Sequence, residues 1–309
     1  MADANTSKNP SPITNIPAKR ALDASYYSLD EQELGFFKSQ TGIQDENELK
    51  QHIMRVQADA YEVHPYPCIL RFAFTKLKIS RLPAYNQLLQ IGRERPGAIF
   101  LDIGCCFGND ARKAIADGFP LEGVIASDLD PRFWDLGHSL FRSTPATFPV
   151  PFVPGDAFDH TFLEPVPPFY APPDSPAPAL SSLTTLTPLL GHVSAIHASS
   201  LFHLFDEEPQ LQLAKALAGL LAPTPGSMIF GLHGGRHERG LRVEQGKLNP
   251  RGTYMFCHSP ESWTELWDGR VFQKGTVKVD AFLRETQRRD LDTPSDAKFY
   301  FLVWSVTRL

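Results

Sequence analysis

Three acidic residues, each at the end of an apolar segment, are the side chains whose types and spacing point most directly to chemistry. Asp102 lies in LDIGCCFGND (101–110), Asp128 ends GVIASD (123–128), and Asp156 lies in the segment GDAF. Carboxylates accept hydrogen bonds and pair with cations, so three of them suit a ligand with hydroxyl, amino or cationic groups. If each follows a parallel strand, all three lie at the edge of the sheet where ligands bind. The alternative is that each carboxylate only caps the helix that follows it.

The glycine turn after Asp102 restricts the kind of ligand. A phosphate-binding P-loop needs a lysine and a hydroxyl residue directly after its last glycine, and neither follows Gly108. A dinucleotide fingerprint needs a glycine where Cys106 stands. What remains is a turn of the pattern acidic-x-Gly-x-x-x-Gly, in which Gly104 is the first glycine. This pattern suits a ligand without a bridging diphosphate. In this turn Cys105, like its neighbour, is expected to offer backbone groups more than thiol chemistry.

Histidines supply the other candidates. His197 ends the fourth predicted strand and His203 follows within IHASSLFHLF, where either can act as a general base or orient a substrate. The alternative for both is a histidine that hydrogen-bonds within the wall of the pocket. Four further side chains are of metal-ligating types: His233, His237, Cys257 and His258. Their spacing matches no regular ligand pattern, so we predict no metal site.

The elements that would position these residues follow the order of an α/β protein. Five apolar segments predict strands that alternate with helices, at 98–104, 123–128, 146–158, 192–198 and 226–234. Two further segments, TVKVDAFLRE (276–285) and AKFYFLVWSVTRL (297–309), have no helix between them. They predict a terminal hairpin that adds an antiparallel member to a parallel sheet.

The first 95 residues precede any strand and predict helices. Ser28 with Glu31 forms a possible capping box for the first helix, which Gly42 ends; Asp45 caps the second, and Pro83 begins the third. We therefore predict three parts.

These parts are a disordered polar tail (1–24), a helical N-terminal cap (25–95) and a core (96–309). The core carries an irregular insertion at 164–178, whose seven prolines predict a solvated loop without function. The segment GLHGGRHERGLR (231–242) is glycine-rich and basic, and predicts a lid over an acidic substrate or a flexible connection.

Composition excludes several classes of protein. The chain of 309 residues is 42% hydrophobic and 21% charged, as in ordinary globular proteins, and its net charge of −5 without a basic block argues against a nucleic-acid surface. It lacks an apolar run of about 18 residues, so no membrane span is predicted. Four cysteines are too few for a disulfide framework, and the N-terminus has no secretory apolar segment, which together predict a cytoplasmic protein.

The glycine turn with its three acidic residues resembles motif I and the following positions of the class I S-adenosylmethionine-dependent methyltransferases. Longer stretches are similar to small-molecule methyltransferases of fungal secondary metabolism, nearest to the branch that methylates acids in meroterpenoid pathways: YYSLDEQELGFF, YEVHPYPCILRF, LDIGCCFGND, ASDLDPRFWDLG, IHASSLFHLF and CHSPESW. The resemblance implies an α/β, Rossmann-like seven-stranded sheet, mostly parallel, with a terminal antiparallel hairpin and a helical N-terminal cap.

The resemblance also implies S-adenosylmethionine as cofactor. The residues expected to bind it are Asp102, Gly104, Cys105, Cys106, Gly108, Asp128, Leu129, Asp156, Ala157 and His197. Asp102 would lie near the cationic amino and sulfonium groups. Asp128, twenty residues past Gly108, would reach a ribose hydroxyl, and Asp156 would accept from the adenine amino group. Leu129 and Ala157 would flank the base.

The predicted function is methylation of a small, largely apolar metabolite, giving the methyl ester of an aromatic polyketide acid with a prenyl chain. Tyr26, Tyr66 and Arg71 are the predicted substrate residues, the tyrosines as aromatic wall and the arginine as partner of a carboxylate, although packing or a structural ion pair also explains each. His197 and His203 are the predicted catalytic residues.

Three other functions stay open: an O- or C-methyltransferase of phenols with a histidine base, a non-catalytic cofactor-binding scaffold, and a dehydrogenase on a similar sheet. The sequence leaves a homodimer open.

Overall fold

A computed structural model describes residues 19–246, 249–287 and 298–309, and within 244–253 only the backbone. The strands are Phe100–Ile103 (β1), Val124–Asp128 (β2), Phe152–Pro154 (β3), Ala195–His197 (β4), Met228–Gly235 (β5), Gly240–Gly246 (β6), Asn249–Cys257 (β7), Val277–Thr286 (β8) and Phe299–Arg308 (β9). Seven of them form one sheet in the order β3-β2-β1-β4-β5-β9-β8. Strand β9 is antiparallel to both of its neighbours, and the other pairs are parallel. The predicted sheet and its antiparallel hairpin are thus confirmed.

The strand order reverses direction between β1 and β4, which is where ligands bind in open α/β sheets. In the β1–β4 ladder Asp102 is directly opposite His197. Each of these strands is short and fully buried, as expected of central parallel strands covered on both faces. The fold therefore brings the carboxyl ends of β1, β2 and β4 to one edge.

The helices are Glu31–Thr41 (α1), Glu46–Val63 (α2), Pro67–Leu70 (α3), Tyr85–Glu94 (α4), Asn109–Ala116 (α5), Pro131–Leu140 (α6), Glu207–Leu220 (α7) and Pro260–Trp267 (α8). On one face of the sheet, α7 and α8 supply the packing side chains, among them Leu217 and Trp263. On the other face, α4, α5 and α6 pack against it through residues such as Leu88 and Trp134. Among the described helices none is long and apolar enough to cross a membrane.

The N-terminal helices begin and end largely as their capping residues predict. Gly42 ends α1 in the left-handed conformation (φ 74°), and Asp45 caps α2 by accepting from the Glu48 N–H. The predicted capping box of Ser28 and Glu31 is wrong. The box is formed two residues later, because Asp30 accepts from the Glu33 backbone while the Glu33 carboxylate accepts from the Asp30 backbone.

The N-terminal helices pack on the outside of the glycine turn. One face of α2 is buried, as the spacing of Leu49, Ile53, Val56 and Ala60 predicts. A hydrophobic cluster joins this face to Phe107 in the turn and to Phe133 on α6. The division of the chain into tail, cap and core stays a prediction, and residues 1–18 of the predicted tail lie outside the described residues.

Two segments differ from their predictions. Residues 231–242 are mostly strand, because β5 continues to Gly235 and β6 begins at Gly240; β6 pairs with β7 in a separate two-stranded sheet that the sequence did not indicate. The insertion at 164–178 is irregular as predicted, but it is fastened to the core. Arg308 donates to the Phe169 carbonyl at 2.8 Å, and the Tyr170 hydroxyl accepts from the Gln273 N–H at 2.7 Å.

Candidate active site

The glycine turn after β1 has an uncommon backbone that its sequence makes possible. Gly104, Cys106 and Gly108 all have positive φ, at 69°, 50° and 71°. A Cβ on Gly108 would lie 2.5 Å from the Trp134 ring, so only glycine fits there. Burial raises the pKa of the Cys106 thiol well above its usual value, which keeps the thiol protonated and leaves the backbone as the group that the turn offers.

The acidic side chains after β1, β2 and β3 lie at the same edge of the sheet. Asp128 ends β2, and its backbone carbonyl accepts from the Gly155 N–H at 3.0 Å, which ties the segment after β3 to it. Asp156 follows and accepts from the Phe158 N–H at 2.9 Å. Leu129 is 60% exposed beside Asp128.

Asp102, His197 and Ser199 form a hydrogen-bonded chain at the centre of this edge. Asp102 Oδ1 lies 2.8 Å from His197 Nδ1, and Ser199 Oγ lies 2.6 Å from His197 Nε2. The Leu232 N–H donates to the same hydroxyl at 3.2 Å. The Asp102 and His197 side chains are each 2% exposed, whereas Ser199 is half-buried. The chain therefore runs from a buried carboxylate to a hydroxyl at the surface of the site.

This arrangement bears on the predicted catalytic role of His197, which stays a prediction. A general base must place a nitrogen on the substrate, and both ring nitrogens of His197 already have partners within the protein. Direct contact of the His197 ring with a substrate would therefore require one of these two hydrogen bonds to break. His203, also predicted as catalytic, is half-buried and accepts from the Gly234 N–H at 3.4 Å.

Asp110 is a charged residue of this site that the sequence reasoning did not identify. Its Oδ1 accepts from the Ile79 N–H at 3.0 Å, so the first turn of α5 holds the segment before α4. Burial raises the pKa of Asp110, although the charges of His197 and Lys78 lower it. The signal available was an acidic residue directly after the glycine turn, which also suits an ordinary helix start.

The charge of His197 is set by its surroundings. Burial lowers the pKa of His197, but the hydrogen bond and charge of Asp102, with the charge of Asp110, bring it above the usual value. Lys78, which is half-buried, acts in the opposite direction. The side chains around this imidazole thus combine two carboxylates with one ammonium.

The predicted substrate residues lie in different surroundings. The Tyr66 ring lies tilted against that of Phe133. Burial, with the charges of Cys68 and Asp128, raises the pKa of Tyr66 to about 12, and Cys106 of the glycine turn contributes to the same shift. Arg71 donates through Nε to the Pro67 carbonyl of its own helix at 3.0 Å. Tyr26 packs against the N-terminal hydrophobic cluster.

The four side chains of metal-ligating types have other surroundings in the structure. His233 accepts from the Trp304 ring N–H at 3.0 Å, and His258 lies 2.9 Å from the Ser262 hydroxyl. His237 instead packs edge-on against Tyr300, and Cys257 is buried. Within the described ranges, no group of three or more His, Cys, Asp or Glu is arranged to hold an ion.

The strand order with its antiparallel seventh member, the glycine turn after β1 and the acidic ends of successive strands define a class I S-adenosylmethionine-dependent methyltransferase. Comparison with known proteins agrees. A family model described as the meroterpenoid methyltransferase N-terminal domain matches residues 25–75.

Among curated proteins, the O-methyltransferase phiE of a fungal species is 33% identical over 241 residues, which cover 77% of this chain and 70% of that protein. The Asnovolin E/Chermesin D methyltransferase nvfJ of Aspergillus novofumigatus is 32% identical over 262 residues, covering 84% and 83%. The chain belongs to this family of fungal secondary-metabolite O-methyltransferases.

Solved structures with a similar chain path include the 1,6-didemethyltoxoflavin-N1-methyltransferase of Burkholderia thailandensis. It is 14% identical with a TM-score of 0.47, over 86% of this chain and 91% of that one. The magnesium protoporphyrin IX methyltransferase of Synechocystis is 13% identical with a TM-score of 0.42, over 94% and 99%.

One observation in particular supports the fit of S-adenosylmethionine to the residues at the sheet edge. Asp102 Oδ2 is buried and has no hydrogen-bond partner among the described residues. A buried carboxylate oxygen without a partner is costly unless a ligand supplies a donor or a cation, and this cofactor carries an ammonium and a sulfonium group.

Proposed function

We propose that this protein methylates the carboxylate of a small, largely apolar metabolite, an aromatic polyketide acid with a prenyl chain, and so forms its methyl ester. Two findings support this acceptor class. Residues 25–75 match a meroterpenoid methyltransferase N-terminal domain, and one relative is named as the Asnovolin E/Chermesin D methyltransferase. A carboxylic acid with a pKa near ~4 is already ionised at neutral pH, so its methylation needs no general base.

The proposed roles in cofactor binding belong to the three acidic residues at the carboxyl ends of β1, β2 and β3. Asp102 would hold the cationic groups, Asp128 the ribose hydroxyls and Asp156 the adenine amino group, with Leu129 and Ala157 on either side of the base. When bound, the cofactor supplies a methyl group on a positively charged sulfur. The protein's main task is then to position an acceptor oxygen in line with that methyl group and to exclude water.

The observation that carries the choice of an acidic acceptor is the ammonium group of Lys78. This side chain is half-buried at the site edge, where its charge acts on Asp110, Cys106 and His197. It forms no side-chain hydrogen bond or ion pair among the described residues. Apart from the electrostatic attraction of Asp110, the N–H donors of this ammonium are available to an anionic ligand, and the carboxylate of the acceptor is such a group.

The test is product analysis with matched variants. The purified enzyme is incubated with S-adenosylmethionine and a panel of prenylated aromatic acids, and products are identified by mass and connectivity. We expect methyl esters. Lys78→Met should raise KM for the acid roughly 10-fold or more while leaving the affinity for S-adenosylhomocysteine unchanged, and Lys215→Met on the exposed face of α7 should change neither.

Two results would contradict the proposal. Cofactor binding without any methylated product would indicate a protein that holds the ligand but does not turn it over. A lower affinity for S-adenosylhomocysteine in Lys78→Met would assign this ammonium to the carboxylate of the cofactor and not to that of the acceptor.

A further inference from the structure

The chain of Asp102, His197 and Ser199 is more than a carboxylate acceptor requires. An ionised acid needs no proton acceptor, yet the site contains a buried acid–imidazole pair whose outer partner is a half-buried hydroxyl. Such an arrangement is suited to removing a proton from a weakly acidic hydroxyl.

The hydrogen-bond donors fix the direction of this chain. Asp102 is acceptor-only when ionised, so Nδ1 of His197 carries the proton of that bond and Nε2 of the neutral ring is the acceptor. The Leu232 N–H already donates to Ser199 Oγ. The Ser199 hydroxyl must therefore direct its own proton at Nε2, which leaves one lone pair of Oγ for an incoming O–H donor.

We propose that this site also methylates phenolic hydroxyl groups, with Ser199 as the residue that contacts the acceptor oxygen and His197 as the proton acceptor behind it. The inference rests on the proposed methyl transfer to oxygen and extends it to a second acceptor class. Nothing in the family match assigns Ser199 a role.

The proton and electron balance of the step is simple. The phenol proton passes to Ser199 Oγ as the serine proton passes to His197 Nε2, so the serine is unchanged. The phenol oxygen forms a bond to the methyl carbon, and the electron pair of the methyl–sulfur bond stays on sulfur, giving neutral S-adenosylhomocysteine. The imidazolium that results lies against Asp102, which stabilises its charge.

The charged groups around His197 set the pH range of this activity. Asp102 on β1 and Asp110 on α5 favour the imidazolium, whereas burial and Lys78 from the segment before α4 oppose it. The net direction is a pKa above 6.5. Because only the neutral ring accepts a proton, the rate with phenols should rise with pH through this raised value and level off above it.

The experiment uses pairs of prenylated aromatic acids and their pre-formed methyl esters, in which the carboxyl group is blocked and a phenol remains. Wild-type enzyme should methylate both members, and only the ester should show a rate that rises with pH. Ser199→Ala should lower the rate with the ester at least roughly 100-fold and remove its pH dependence, and the fold-loss with the ester should exceed the fold-loss with the acid by at least roughly 10-fold.

The controls separate the loss of proton transfer through Ser199 and His197 from a loss of folding and from a loss of the proposed carboxyl activity. Ser200→Ala changes the neighbouring serine and should leave both rates unchanged, and Ser199→Thr, which keeps the hydroxyl, should restore the rate with the ester. Affinity for S-adenosylhomocysteine reports whether each variant is folded. If Ser199→Ala is unfolded, the wild-type enzyme alone tests the proposed proton transfer. A rate with the esters that does not change with pH overturns it.

Two further outcomes are distinguishable. If wild-type enzyme methylates the acids but not their esters, the proposed methylation of phenols is overturned and the proposed carboxyl activity stands. No product from either member of any pair would overturn the proposed function itself.

Discussion

The carboxylate of Asp128 accepts a hydrogen bond from the backbone N–H of Cys106, with 2.8 Å between the oxygen and the nitrogen. The acidic end of β2 therefore holds the glycine turn of β1 in place before a ligand binds. Its other oxygen accepts from the Asp130 N–H at 3.3 Å. Burial raises the pKa of Asp128, and the backbone hydrogen bonds lower it, so the turn itself helps to keep this carboxylate ionised.

Replacement of Asp128 should weaken cofactor binding through two contacts at once. Asp128→Ala removes the acceptor for Cys106 and the proposed ribose contact, and we expect S-adenosylhomocysteine to bind roughly 10- to 100-fold more weakly, measured by calorimetry. Asp128→Asn keeps one carbonyl oxygen and should lose less. Asp135→Ala, on the exposed side of α6, is the matched control. Unchanged affinity in Asp128→Ala would remove the ribose assignment.

Gly108 should tolerate no side chain. Its φ of 71° strains any L-residue, and a Cβ would meet the Trp134 ring at 2.5 Å. We expect Gly108→Ala to lower the free energy of unfolding by about 3 kcal/mol in urea titrations. Gly42→Ala provides the comparison, because its φ is 74° but no atom lies within 4 Å, and it should cost about 1 kcal/mol. Equal losses would mean that the contact with Trp134 relaxes.

The buried carboxylate of Glu33 should be important for the stability of the N-terminal helices. Its side chain is fully buried; Lys76 Nζ lies 2.8 Å from Oε2 and Arg81 Nη2 lies 3.0 Å from Oε1. Glu33→Ala should lower the free energy of unfolding by about 2 kcal/mol, since Lys76 loses its ion-pair partner, Arg81 keeps only Asp30, and the Asp30 backbone N–H loses its acceptor. The exposed pair of Lys19 and Glu62 is the control, and Glu62→Ala should cost no more than about 0.5 kcal/mol. Similar values for the two variants would contradict this reasoning.

Acidification should destabilise the protein through its buried histidines. Burial, with the charges of Arg239 and Arg270, lowers the pKa of His258 from 6.5 to about 4. The unfolded chain therefore takes up this proton first, so stability is present above the unfolded pKa and is lost as pH falls from 6.5 towards 4. At about pH 5 the loss from this group is about 2 kcal/mol relative to about pH 8.

The measurement is urea unfolding of wild type and His258→Gln at both pH values. The variant should lose less stability on acidification than wild type does. His160→Gln, at an exposed position, should behave as wild type. An equal loss in His258→Gln and wild type would assign the acid sensitivity to other groups, of which fully buried His233 is the first to examine, because burial lowers its pKa well below the usual value.

Contiguous apolar segments and capping residues made most of the fold predictable. The strands around Leu101 and Ile125 are apolar and bounded by turn residues, and Asp45 and Gly42 begin and end helices through contacts within a few residues. The hairpin of β6 and β7 escaped prediction because it has no continuous apolar face. Leu241 and Val243 remain 55% and 46% exposed, so they do not mark a buried strand.

The positions of the acidic residues in the site were predictable from the sequence, whereas the hydrogen-bond partners of the site residues were not. Asp102 and Asp128 follow from strand ends, but the burial of both nitrogens of His197 depends on Ser199 and on a strand 95 residues away. Asp110 was missed for the same reason, since its partner Ile79 is 31 residues earlier in the chain. The Asp30–Glu33 capping box includes a carboxylate that also pairs with Lys76 and Arg81, which lie more than 40 residues later in the chain.

The hydrogen bond between Asp110 and the Ile79 N–H has a consequence for how such enzymes can be recombined. The family model ends at residue 75, which makes that position an attractive junction for chimeras with relatives. A junction there would take Lys78, Ile79 and α4 from one parent and α1, α2 and α3 from the other. Exchange at Gly97 instead, at the turn before β1, keeps Lys78 and Ile79 with the N-terminal helices of the same parent, so that the contact with Asp110 on α5 and the hydrophobic cluster with Phe107 and Phe133 become the contacts between the two parents.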